Sequence, residues 1–305
     1  MLAIDIGGTK LAAAVVNDAG DVLASDRRPT LGRATGDALF DALADLCASV
    51  VGSYKIEAIG VGSGGPMRYP EGVVSPLNIP AWQEFPLRAK LAQRFELPTI
   101  VDNDAKALAL GERWRGAGRG SNNMLGMVVS TGVGGGIILD GQLLHGFAGN
   151  AGHIGHIIVW PHGPLCGCGA RGCVEAVASG TGLTRRLGEA LASGIVTSLA
   201  PGSSAVDIAE AARAGDSLAQ ELYRTAGEAV GRGIASAAAL LDLELVVIGG
   251  SIALRAWDLL GPPLRAELER TARLDFTHAV RVVHADLGDT AGLLGAAVLA
   301  FDLIR

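Results

Sequence analysis

Residues 150 to 175, NAGHIGHIIVWPHGPLCGCGARGCVE, hold three of the four cysteines of the 305-residue chain and three of its six histidines. Within them His156, Cys166, Cys168 and Cys173 follow the spacing His-x9-Cys-x-Cys-x4-Cys on a glycine-rich loop that can wrap a small ion. One imidazole and three thiolates fill a tetrahedral zinc site, and a site with no position left for water is structural rather than catalytic. Cys47 stands far from the others, and thiols of a reducing compartment are poor disulfide material. His145 and His162 fit no ligand spacing and are expected on the surface or in loops.

A second constellation is VDNDA, residues 101 to 105. A strand over Thr99 to Val101 runs into Asp102, Asn103 and Asp104, and then into a helix with Ala107, Leu108 and Leu110 at helical spacing. A single Asp at a helix start is an ordinary cap, but three polar side chains exceed what a cap requires. The corner suits an Asn103 that grips a substrate hydroxyl and an Asp104 that accepts its proton. At a helix N-terminus Asp104 is expected to stay ionised, a weak but constant base.

Glycine turns form the third set. The N-terminus reads as a strand (Leu2 to Ile6), a GGT turn, a strand (Lys10 to Val16), an NDAG turn and a strand (Asp21 to Asp26). The pattern recurs as a strand to Ser130, a glycine turn over 132 to 136 and a strand from Ile137 to Asp140. Two such units facing one another would make a cleft between domains, with backbone N–H groups offered to an anion. Neither turn is a P-loop or a dinucleotide fingerprint. Asp5, ending a buried strand, needs a partner, and hydrated magnesium is one. A third glycine site, Gly249 and Gly250, follows the apolar strand in LELVVIGGSIAL, with Ser251 as a helix cap.

The elements that must position these groups read as α/β. The composition is half apolar, poor in aromatics and rich in glycine, which suits small-residue helices on buried strands. The expected domains are 1–118, ending near RGAGRGSNN, and 119–290, with the last helix, Ala291 to Leu303, returning to the first. The stretch Asp216 to Leu241 reads as a long small-residue helix, for packing either against a second subunit or in the core. A net charge of −6 argues against nucleic acid as a partner. No apolar run is long enough to span a membrane, and the acidic first strand is no signal peptide, so a cytoplasmic protein is expected.

In order along the chain, DIGGTK, VDNDA, STGVGGG, GHIGH, CGCGARGCVE and VVIGGS resemble the motifs of the ROK sugar kinases. The resemblance covers essentially the whole chain, and the zinc loop is its most specific part. It implies an actin-like, ribonuclease-H-like fold of two α/β domains and transfer of the γ-phosphoryl group of ATP to a hexose 6-hydroxyl, with Asp104 as base. Gly65, Asn78, Asn103, Asp104, His153, His156 and Glu175 would contact the sugar. ATP and Mg2+ would meet Asp5, Ile6, Gly7, Gly8, Thr9, Lys10, Leu11 and Ala12 on one side. Thr131, Gly132, Val133, Gly134, Gly135, Gly136, Ile137, Ile138 and Leu139 would serve on the other, with Gly249 and Gly250 under the base. Zn2+ would sit on His156, Cys166, Cys168 and Cys173, and the protein would be a homodimer.

Glucokinases of this family read Ala-Gly-Glu-Ile-Gly-His where this chain has Ala151, Gly152, His153, Ile154, Gly155 and His156. A carboxylate only accepts hydrogen bonds, whereas an imidazole also donates, for example to an acetamido carbonyl. AGHIGH, PHGPLCGCG, GCVEAVASG and DTAGLLGAAVLA are together similar to the bacterial N-acetylmannosamine kinases of sialic acid breakdown. That implies N-acetylmannosamine 6-phosphate as product, with glucose as the alternative substrate. The family's sugar-responsive repressors carry an added helix-turn-helix module, for which a first strand beginning at Leu2 leaves no room. A noncatalytic nucleotide clamp is opposed by the intact Asp102-Asn103-Asp104 corner.

Overall fold

The structure, a computed structural model, describes residues 1–30 and 35–305. The chain forms two compact units, Met1–Gly120 with Gly136–Gly152 and Asp286–Arg305, and Ser121–Gly135 with His153–Ala285.

The first unit begins with β1 (Leu2–Ile6), β2 (Lys10–Val16), β3 (Val22–Pro29), α1 (Gly36–Val51) and β4 (Ile59–Ser63). There follow β5 (Met67–Arg68), β6 (Val73–Val74), α2 (Leu87–Phe95), β7 (Thr99–Asn103) and α3 (Asp104–Arg115). Five strands make a sheet in the order β3-β2-β1-β4-β7, with the β1–β2–β3 meander antiparallel and β1, β4 and β7 parallel. Alternation sorts its two faces. Leu2, Ile4, Ile6, Leu11, Ala13 and Val15 join a core with Leu39, Leu43 and Leu46 of α1. Ala3, Ala12, Ala14 and Val16 face the other way, onto residues 293–297 of the last helix. Both faces being covered, β1 and β2 are apolar but for Asp5 and Lys10 at their turn ends. The second face uses alanine because the helix comes close, down to a Gly60 with no room for a Cβ beside Ala296 O.

The second unit opens with β8 (Met124–Val129) and the start of β9 (Val133–Leu139), whose residues from Gly136 on belong with β10 (Gln142–Leu143) to the first unit. Beyond them lie α4 (Val174–Ala178), α5 (Gly180–Ala192), α6 (Ala205–Arg213), α7 (Ser217–Leu241) and β11 (Leu245–Gly249). The unit closes with α8 (Ser251–Arg255), α9 (Trp257–Thr271) and β12 (Arg281–His284), and the chain then ends in α10 (Ala291–Ile304). The sheet order β10-β9-β8-β11-β12 repeats the first sheet position for position, with β8, β11 and β12 parallel. The small residues of α7 are spent on α9, where Gly227 and Gly231 meet the carbonyls of Leu260 and Leu264.

Two expectations are corrected. The glycine turn over 132–136 contracts to the residues just before Val133, because Gly134, Gly135 and Gly136 lie in β9. Gly136 runs so close to α3 that a Cβ would stand 2.6 Å from Lys106 Cα. Residues 136–152, expected in the second domain, cluster with the first unit, where the Lys106 ammonium donates to Gly149 O. Among the described residues no helix is long and apolar enough to cross a membrane.

Candidate functional site

The carboxyl ends of parallel strands are where α/β sheets present ligand-binding groups, and β1, β4 and β7 end together. In register, Asp5 stands across Gly62 from Asp102, and Ile6 across Ser63 from Asn103. β7 passes into α3 without a loop, which puts Asn103 and Asp104 at the corner. Asn103 is the helix cap: its Oδ1 accepts the Ala105 N–H at 3.0 Å, and Asp104 Oδ1 accepts the same N–H at 2.8 Å. The Asn103 amide nitrogen faces Gly65, 3.6 Å from where a Cβ on that residue would be. Gly8 is pressed on Asn78, so that a Cβ would fall 2.5 Å from Asn78 Cβ. Gly65 and Asn78, implied only by resemblance, are thus brought to Asn103 and to the first glycine turn respectively.

Asp5 and Asp104 both hold their protons more tightly than an ordinary carboxyl. Burial pushes the Asp5 carboxyl up to about 6, the negative Asp104 pushes the same way, and Lys10 opposes both. Burial also raises Asp104, against the donation from Ala105 N–H. The helix terminus therefore does not hold Asp104 low as expected, because loss of water outweighs the backbone donors. Asp5 lies against α10, where a Cβ on Gly292 would be 3.1 Å from both carboxylate oxygens. Nothing in the sequence beyond a run of small residues marks Gly292.

Around the first turn, Gly7 N–H is spent on Lys10 O at 2.9 Å, Thr30 Oγ1 donates to Gly7 O at 2.7 Å, and Lys10 Nζ stands 3.3 Å from Asp289 Oδ1. Thr9 O accepts the Thr30 N–H. The side chains of Ile6, Leu11 and Ala12 are buried in the sheet, so only their backbone is available to a ligand.

In the second unit Glu175, in the first turn of α4, reaches the other turn. Its Oε2 accepts the Val133 N–H at 2.9 Å and lies 2.7 Å from the position of a Cβ on Gly132. Thr131 O accepts the Thr181 hydroxyl at 2.9 Å. Beyond β11, Gly250 has φ +94° and backs onto β8, where a Cβ would stand 2.5 Å from Val129 O, so only glycine serves there. Gly250, not Ser251, is the cap residue of α8, and Ser251 Oγ lies 2.9 Å from Ser130 Oγ. Ile137, Ile138 and Leu139 continue along β9 in the first unit.

The zinc-spaced residues converge. One ligand atom from each of His156, Cys166, Cys168 and Cys173 lies within 4.8 Å of all the others. His156 Nδ1 is 3.7 Å from Cys166 Sγ, and Cys168 Sγ is 3.7 Å from Cys173 Sγ. A tetrahedral zinc with Zn–S near 2.3 Å sets neighbouring sulfurs about 3.8 Å apart, so the donor set fits zinc. Burial pushes the Cys173 thiol up to about 12, and a dication is the counter-charge that would make it a thiolate. The loop is tied by Cys166 N–H to Ala170 O at 2.7 Å. It also passes Gly172, at φ +72°, directly against Trp160 O. His156 closes a short 3-10 turn, Ile154–His156, whose cap residue is the exposed His153, and the two rings stand 6.0 Å apart.

His145 lies in a loop and is partly exposed, as expected, but it is no plain surface residue: its Nδ1 lies 3.0 Å from the fully buried Asp102 carboxylate. Lys106 is buried beside it, and nothing in the sequence singles it out except its four-residue spacing from Asp102.

Two α/β units with matching sheet orders, the acidic corner and the glycine turns define an actin-like sugar kinase fold. A profile of the ROK family matches residues 1–302, and the chain belongs to that family. It is 35% identical to a glucokinase of Thermotoga maritima, over 97% of this chain and 96% of that one. It is 40% identical to an N-acetylmannosamine kinase of Shigella boydii, over 98% and 97%. A crystal structure of a ROK family glucokinase from Streptomyces griseus, in complex with glucose and AMPPNP, matches with a TM-score of 0.83. It has 36% identity and 99% coverage of both chains.

Proposed function

We propose that the protein transfers the γ-phosphoryl group of ATP to the 6-hydroxyl of N-acetylmannosamine. The chain is an ATP-dependent sugar kinase; the particular sugar is the proposal. The observation that carries it is His153, an exposed imidazole opening the turn that ends in the metal-site residue His156. An imidazole N–H can donate to the acetamido carbonyl, a bond that glucose cannot return.

In this reading Asn103 and Glu175 hold sugar hydroxyls and the ionised Asp104 accepts the 6-hydroxyl proton. The hydroxyl oxygen bonds to the γ-phosphorus as the bond from that phosphorus to the β–γ bridging oxygen breaks, and ADP leaves. The transition state is loose, so positioning and charge matter more than base strength. Asp5 would hold the magnesium, which neutralises phosphate charge. His156, Cys166, Cys168 and Cys173 would hold zinc, which cross-links the loop carrying His153. The reading includes a homodimer in the cytoplasm, with an interface away from the α7 stripe that α9 covers.

The test is the pair of specificity constants for N-acetylmannosamine and glucose, in wild type and in His153→Glu. Wild type is expected to prefer the N-acetyl sugar, and the variant to shift the ratio toward glucose. A wild type that prefers glucose makes the protein a glucokinase, and one that phosphorylates neither points to a sugar-sensing role.

A further inference from the structure

Four side chains that this chemistry does not use meet at the β7–α3 junction. The side chains of Asp102 and Lys106 are 0% and 1% exposed, and Lys106 Nζ stands 3.1 Å from Asp102 Oδ1. Asp102 Oδ1 also accepts the Asn103 N–H at 2.7 Å, while its Oδ2 lies 3.0 Å from His145 Nδ1. The His145 ring stacks on Tyr69 with centroids 4.5 Å apart, and Lys106 Nζ lies 5.8 Å from the Tyr69 ring centre. Burying two charges costs desolvation that their attraction barely returns, and apolar residues of similar volume often serve a fold as well. Stability alone does not account for this pair.

Lys106 makes one further bond: its ammonium donates to Gly149 O at 2.8 Å. Gly149 is held by Lys106 in the first turn of α3, while His145 Nδ1 packs 3.0 Å from Asp102 Oδ2 in β7 without a hydrogen bond, so residues 145–149 lie on the β7–α3 junction. The segment is pressed flat there, since a Cβ on Gly149 would fall 2.2 Å from Tyr69 Cβ. All of these contacts lie on the first unit's side of Gly152, and His153, the next residue, belongs to the second unit.

We propose that Lys106 is a positioning residue for the sugar reaction: by fixing residues 145–149 on α3 it sets where the chain enters the turn that carries His153. It acts through that segment and touches neither substrate. The inference rests on the reading of His153 as a sugar contact.

The test is the double variant Asp102→Asn with Lys106→Met. It removes both charges together and strands neither, an amide oxygen still accepts the Asn103 N–H, and the bond to Gly149 is lost. The expected result is an unfolding midpoint near wild type, a KM for ATP within about twofold, and a KM for the sugar raised roughly tenfold or more. A folded double variant with the wild-type sugar KM overturns the proposal. His145→Ala, at a partly exposed position, releases the other anchor without stranding a buried lysine. It is expected to move the sugar KM in the same direction with the ATP KM unmoved, and an unmoved sugar KM there overturns the proposal even where the double variant does not fold. His153→Ala separates the two claims. If it leaves the sugar KM unchanged, the reading of His153 fails; if it raises that KM while the double variant does not, only the role of Lys106 fails.

Discussion

The carboxylate of Glu175 accepts a hydrogen bond from the backbone N–H of Val133 at 2.9 Å. The residue proposed to hold the sugar therefore also braces the glycine turn proposed to hold the phosphates. Glu175→Ala is expected to raise the KM for both substrates, because the turn loses its brace. Glu175→Gln keeps an acceptor for Val133 and should raise the sugar KM alone. Initial-rate kinetics with each substrate varied in turn distinguishes these outcomes, and equal effects from the two substitutions would leave the bracing without consequence.

Asp104→Asn preserves shape and the acceptor for Ala105 N–H but removes the proton acceptor. Turnover should fall about 100-fold or more with folding intact. Because burial raises the Asp104 carboxyl, kcat of the wild type should decline as pH falls through a value above the ordinary 3.8. A full pH profile that stays flat down to the ordinary carboxylate range contradicts Asp104 as the base.

Asp5 gives a stability prediction with a definite sign. Its carboxyl is near 6 in the fold and 3.8 when unperturbed, so the folded state binds this proton more tightly than the unfolded state. The ionised group thus opposes folding above pH 6, and the cost fades as pH falls from 6 toward 4. A gap of this size corresponds to about 3 kcal/mol at most. Asp5→Asn should be more stable than wild type at pH 7 by ~1–3 kcal/mol, with the advantage gone near pH 4, and should be nearly inactive. Urea unfolding at the two pH values measures this.

The metal reading is checked by composition. Freshly purified protein should carry about one zinc per chain. Cys168→Ser should lose the zinc and weaken sugar binding while the KM for ATP changes less. Zinc-free protein with full sugar affinity would remove the metal from the account.

Much of this arrangement is legible in the residues themselves, and the exceptions share a cause. LAIDI and KLAAAVV announce strands with both faces covered, and β1 and β2 have the bounds read from the sequence. The cysteine spacing likewise leads to the cluster found. Gly134 to Gly136 mislead because a glycine run that flattens a strand against a helix looks the same in sequence as one that makes a turn. Whether α3 lies there is information held by residues 104–109. The raised carboxyl of Asp104 and the Asp102–His145 contact are hidden for the same reason, since burial and pairing are supplied by segments distant in the chain.

The helix α10 carries a consequence for how the protein is made. Ala3, Ala12, Ala14 and Val16 are covered by Leu293, Leu294, Ala296 and Ala297, so β1 and β2 keep one apolar face bare until residues 293–297 have been synthesised. The first unit cannot mature ahead of the second during translation. A fragment cut after residue 120 would present that alanine-lined face to water and to other nascent chains, which makes the chain a poor candidate for expression in pieces.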